Sequence, residues 1–123
     1  MLVEHGHDPA TDRRFLRLIG GGIEFGERAE DAGRREWMEE LGAELADVRL
    51  LDVLEDFLEH AGRVGHEIVF LFEASLANFD RFARDEIELV EADGSRHVAS
   101  WVSIDALSDG PLPFVPKAAA RWL

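Results

Sequence analysis

The window Gly21 to Ala43, GGIEFGERAEDAGRREWMEELGA, constrains this chain more than any other stretch. The glycine cluster Gly20 to Gly22 follows the apolar segment Phe15 to Ile19 and precedes a charged segment of helical composition. Glycines in that place read as a strand-to-helix loop, where backbone can approach another group closely. Arg28 to Leu41 reads as the helix. Ala29, Ala32, Trp37 and Leu41 recur at helical spacings. Glu30 and Asp31 suit the positive N-terminal end, and Gly42 is placed to act as a left-handed C-cap. Gly33 inside the helix costs about 1 kcal/mol relative to alanine. Glu36, Glu39 and Glu40 are related by i,i+3 and i,i+4, so the helix puts these carboxylates on one face. Such a face is ordinarily a solvated one. A divalent cation turns its self-repulsion into attraction, and hard oxygen ligands suit Mg²⁺ or Mn²⁺. Glu27, at the loop–helix junction, can complete the cluster, and Arg35 can hold a carboxylate by a forked ion pair.

The rest of the chain bounds what this window can belong to. With 123 residues, one domain over 1–123 is expected. Hydrophobic residues at 46% and charged residues at 32% fit a folded globular chain. No apolar run approaches the roughly 20 residues that cross a bilayer, so no membrane span is expected. No basic segment leads into an apolar one, so no signal peptide is expected either. The net charge of −13 disfavours a nucleic-acid partner, whose backbone calls for a basic footprint. It also repels an anionic substrate unless a cation intervenes. The chain has no cysteine, which excludes disulfides, thiolate metal sites and cysteine nucleophiles and accords with a cytoplasmic location. No serine stands in a His–acid arrangement, so a serine nucleophile is unsupported.

Val48 to Leu58 and Glu67 to Leu76, around a turn in Ala61 to Gly65, predict a long hairpin. His97 to Ile104 predicts a further strand, Asp105 a cap on a short helix, and Pro116 the first turn of a final helix over Lys117 to Leu123. Strands around one strong helix predict a layered α/β (α+β) domain with a mixed sheet.

Gly21, Glu27, Arg35, Glu36, Glu39, Glu40 and Gly42 match every fixed position of the pattern G-x5-E-x7-R-E-U-x-E-E-x-G-U, with U a bulky aliphatic residue. On this pattern the chain resembles the Nudix hydrolase family. Trp37 and Ala43 stand where an aliphatic residue is usual; both are apolar. RLIGGGIEFGE, VASWVSIDAL and VLEDFLEHAGRVGHEIVFLFEA are similar to the family's loop entry, late strand and hairpin, so the likeness spans most of the chain, although only the box is specific. The resemblance implies an α/β/α sandwich. It also implies an apolar strand ahead of the segment beginning at Leu2, where this chain has almost nothing. With a lacking or shortened first strand, either the start of the chain is truncated or a partner, such as the second copy of a homodimer, supplies the missing sheet edge, because an uncovered edge is an association hazard.

The resemblance further implies hydrolysis of a nucleoside diphosphate linked to another group, by attack of water on phosphorus. Glu36, Glu39, Glu40 and the Gly21 carbonyl would ligate the metal, Glu27 would hold a metal-bound water or brace the cluster, and Arg35 would orient the carboxylates. For the general base, Glu40 comes first and Glu67, a charge interrupting an apolar strand, second. Glu55, Glu86 and Glu88 are further candidates. His5 and His7 form an H-x-H pair, whereas His60, His66 and His97 are scattered and read as structural or exposed. Phe25 either stacks on a base or anchors its loop. Arg13, Arg14, Arg17 and Arg63 are phosphate contacts or surface charges. The competing function is a non-catalytic module that senses nucleotide or metal. RNA end processing is disfavoured by the acidic balance.

Overall fold

The computed structural model describes residues 1–123. Its elements are β1 (Leu2–Asp8), β2 (Arg13–Leu18), α1 (Ala29–Leu41), β3 (Leu45–His60), β4 (Arg63–Leu76), β5 (Ile87–Val90), β6 (Arg96–Trp101), α2 (Ile104–Asp109) and β7 (Phe114–Val115). Short 3-10 helices lie at Phe79–Phe82 and Lys117–Trp122. Five strands form a sheet in the order β5-β6-β1-β2-β7, and β3 pairs with β4 alone. The larger sheet is mixed: β2 and β7 run parallel and its other pairs antiparallel.

Side chains alternate between the faces of a strand, and that alternation divides the core. Leu2 packs with Ile19, Leu89 and Ala99 under Trp37 and Leu41 of α1. Its neighbour Val3 packs on the opposite face with Leu16, Leu54, Leu107, Phe114 and Ala119. One face of the sheet therefore carries α1, while the hairpin, α2 and the C-terminal 3-10 helix cover the other. This is the α/β mixed-sheet layering expected from the sequence.

Several boundaries differ from expectation. The N-terminal segment forms β1, paired with β2 on one side and β6 on the other, so β5 and β7 are the sheet's edges. The hairpin is longer than its apolar cores suggested. Ala61 and Gly62 alone make the turn, with φ of 52° and 77°; both are left-handed, as a two-residue type I′ connection needs. Arg63, Val64 and Gly65 already belong to β4. Strand β6 ends at Trp101, and Ile104 opens α2. The cap of α2 is Ser103, whose hydroxyl accepts the Ala106 N–H at 3.2 Å, and Asp105 sits inside the first turn. The tail is 3-10 rather than α-helical, and Pro116 stands just ahead of it. No helix is long and apolar enough to cross a membrane.

Candidate metal centre

Helix α1 is fixed at three points. At its C-terminus Gly42 adopts φ 64°, and its N–H donates to the Met38 carbonyl at 2.9 Å. Mid-helix, the Trp37 indole N–H donates to the Ile19 carbonyl at 3.2 Å, which ties the helix to the strand that enters the glycine loop. At Gly21 there is no room for a side chain, because a Cβ built there would land inside the Glu36 carboxyl group. The loop thus brings Gly21 backbone directly against the first carboxylate of the helix.

The loop's second half is a tight turn. The Glu27 N–H donates to the Glu24 carbonyl at 2.9 Å, with Gly26 at φ 83°. The Glu27 carboxylate then accepts the Glu24 N–H at 3.1 Å.

Arg35 is the hub of the cluster. Its Nε and Nη2 donate to the two Glu27 oxygens at 2.8 and 2.9 Å. Its Nη1 donates to Glu36 at 3.0 Å and to Glu39 at 3.3 Å, and Nη2 also reaches the Gly22 carbonyl at 3.0 Å. One guanidinium therefore joins loop carbonyl, junction glutamate and two helix glutamates. The paired Arg35 holds the Glu27 carboxyl down at about 2. The carboxylates in turn raise Arg35 above its ordinary range, with Glu27 the main cause.

Glu40 lies at the buried edge of this cluster. It is 7% exposed, whereas Glu39 lies open. Burial first, and then the acids Glu91, Glu36 and Glu4, push its carboxyl up to about 8. It faces the sheet, where Glu4 is 2% exposed and paired to Arg17 at 2.6 Å. Arg17 also holds Glu91 at 2.9 Å, and His97 stands 3.4 Å from Glu4. Sequence reasoning did not single out Glu4 or Glu91 and read His97 as isolated. The only signal for them in the sequence was strand parity.

The cluster thus gathers Gly21, Glu27, Arg35, Glu36, Glu39 and Glu40. No hydrogen bond or ion pair joins Glu67 to it: Glu67 is exposed on β4 opposite Asp56. Glu55 pairs with His66 at 2.8 Å and Glu88 with Arg96 at 3.3 Å. His7 pairs with Asp12, and His5 bonds Ser100, so the H-x-H pair does not converge. Phe25 projects fully into solvent from its turn. A shallow pocket lined by Phe79, Ala83, Arg84, Asp85 and Trp101 lies at the other end of β5 and β6 from Glu91. It is not part of this centre.

Every side-chain donor in the box cluster is a hard carboxylate oxygen, the chemistry that Mg²⁺ and Mn²⁺ prefer. The missing Cβ at Gly21 and the buried acid Glu40 fit a cation that presses against backbone and needs negative charge around it. The family model described as NUDIX domain matches residues 1–123. Among curated proteins, none matches the chain at a significant level.

Proposed function

Because the chain belongs to the NUDIX family, we propose that it is a metal-dependent pyrophosphohydrolase. It would cleave the phosphoanhydride of a nucleoside diphosphate linked to another group, by water attack at phosphorus. The observation that carries this reading is the single Arg35 guanidinium joining Glu27, Glu36 and Glu39 beside the closely approaching Gly21.

In this reading Glu36, Glu39, Glu40 and the Gly21 carbonyl hold Mg²⁺ or Mn²⁺. When bound, the cation neutralises the diphosphate and lowers the pKa of the attacking water. Arg35 fixes Glu36 and Glu39 in one orientation, so little side-chain freedom is lost on binding. Glu27 anchors Arg35 in turn and closes the loop through the Glu24 N–H. Glu40 accepts the proton of the attacking water, with Glu67 left as the alternative base. Of the two, only Glu40 stands among the box carboxylates. The cation also reconciles a chain of net charge −13 with an anionic substrate.

The test is a panel of diphosphate compounds incubated with Mg²⁺ or Mn²⁺: nucleoside triphosphates, nucleotide sugars, ADP-ribose and dinucleoside polyphosphates. Release of a nucleoside monophosphate or phosphate is expected. Glu39→Gln and Glu40→Gln should each lower kcat/KM by about 100-fold or more, a loss of roughly 3 kcal/mol of transition-state stabilisation, with unchanged circular dichroism. Metal-dependent nucleotide binding without any product would instead identify a sensing module. The cytoplasmic location expected from the sequence belongs to the same proposal and is open to fractionation. A homodimer does too. The outer face of the hairpin exposes Phe57, Val64, Ile68 and Phe70, and its Glu55 is paired to His66, so in a strongly acidic chain this face suits a second copy. Sedimentation should show a dimer that Ile68→Glu dissociates; a monomeric wild type would remove it.

A further inference from the structure

The segment between β4 and β5 builds a cavity that the metal centre does not use. Asn78 fastens this segment to the end of α1: its Nδ2 donates to the Gly42 carbonyl at 3.2 Å, and its Oδ1 accepts the Glu44 N–H at 3.1 Å. The 3-10 helix Phe79–Phe82 follows, and Phe82 enters the core. The Phe82 carbonyl then accepts two donors, the Trp101 indole N–H at 2.8 Å and the Arg84 N–H at 2.9 Å. Phe79 and Trp101 are thereby held as the aromatic walls of a cavity of about 560 Å³, which Ala83, Arg84 and Asp85 complete. The geometry points to this cavity as a binding site for a guanine base, separate from the metal centre.

The walls suit a flat ligand. Phe79 and Trp101 are tied in position yet remain 50% and 41% exposed. Their ring centroids lie 5.7 Å apart, with the ring planes at 61°. They form an open corner, in which a planar ring laid on one aromatic face meets the other edge-on. The volume falls within the range of small-molecule sites, and a corner already formed loses little freedom when it is filled.

Stacking tolerates any base, so selection falls to the two polar walls. Arg84 and Asp85 are both exposed, and neither side chain has an ion-pair or hydrogen-bond partner within the chain. A guanidinium only donates and a carboxylate only accepts. The ring that satisfies both carries two adjacent N–H donors on one edge and acceptors on another. Guanine does so: N1–H and the N2 amino group match a carboxylate, while O6 and N7 match a guanidinium. Adenine sets the acceptor N1 beside its amino group, which a carboxylate opposes. The site needs no cation and does not depend on the chain being a hydrolase.

The test is titration of the full chain with guanosine monophosphate in EDTA, followed by tryptophan fluorescence. EDTA removes the divalent ions through which a phosphate would engage the box carboxylates. Stacking on Trp101 should quench emission saturably. Adenosine monophosphate should bind about 10-fold more weakly, the worth of one bidentate contact. Phe79→Ala and Asp85→Asn, both at exposed positions, should each weaken binding by about 10-fold with unchanged circular dichroism, whereas Glu39→Gln should leave it unaltered. Absence of quenching in the wild-type chain, equal affinity for the adenine nucleotide, full affinity in Phe79→Ala or Asp85→Asn, or loss of binding in Glu39→Gln would each overturn the site. Failure of the hydrolase reading would appear separately, as no turnover in Mg²⁺ with the quenching intact.

Discussion

Gly21 shows how one atom decides a site. Its Cα sits so close to Glu36 that a methyl group would have to displace the carboxyl. The rest of the fold does not depend on that contact, because Trp37 and Gly42 fix the helix elsewhere. Gly21→Ala should therefore leave the thermal transition nearly unchanged and lower divalent-metal affinity by about 10–100-fold, as expected when a ligand's orientation is disturbed. Calorimetric titration of Mn²⁺ into both forms would measure it, and equal affinities would show that Glu36 ligates nothing. This part of the centre is legible in the sequence because it is local: Gly21, Glu27, Arg35 and Glu36 lie within one loop and one helix, where spacing alone fixes geometry. Glu4, Glu91 and His97 are not legible in that way. Their strands meet only through sheet order, and no spacing in the chain announces that β1 lies between β6 and β2.

At the scale of elements, α1 carries its own start and stop. Acids occupy its first turn, and Gly42 ends it in a left-handed conformation. A Cβ on Gly42 would meet only the tip of Arg81, at 3.9 Å, so the penalty of Gly42→Ala is one of backbone and not of space. It should cost about 1–2 kcal/mol, seen as a lower urea midpoint with an unchanged slope. A neutral result would mean that the helix frays there without consequence. The same local signals explain why α1 was readable to within a residue while strands were less so. Strand β5 is four residues long, too short for a pattern to rise above its surroundings. In β3 the register shifts between Ala46 and Arg49 and again between Leu50 and Asp52. Those irregularities break the alternation by which its N-terminal extent could have been read.

At the scale of the whole molecule, the C-terminus is tied to the hairpin by two carboxylates. Asp52 on β3 accepts from the Arg121 guanidinium and, at 2.9 Å, from the Trp122 indole N–H. Asp56, 5% exposed on the same strand, accepts the Ala118 N–H at 3.0 Å. Arg121 and then Trp122 hold the Asp52 carboxyl below its ordinary value of 3.8. Its folded pKa is thus lower than its unfolded one. The stability it adds is fully present above the ordinary carboxylate range and is lost as pH falls through the lower folded value. Acid titration followed at the Trp122 indole N–H should show this tie releasing below pH 3.8, ahead of or together with global unfolding. Asp52→Asn keeps an oxygen for the indole but removes the charge that Arg121 needs. It should abolish the acid step at Trp122 and lower stability near neutral pH, while the Arg35 cluster on the opposite face of the sheet keeps its metal affinity. An unaltered Trp122 titration in Asp52→Asn would mean that other acids hold the tail. Loss of metal binding in the same variant would show that the two faces of the sheet are coupled, since the tail and α1 share no hydrogen bond or ion pair through which Asp52 could otherwise act.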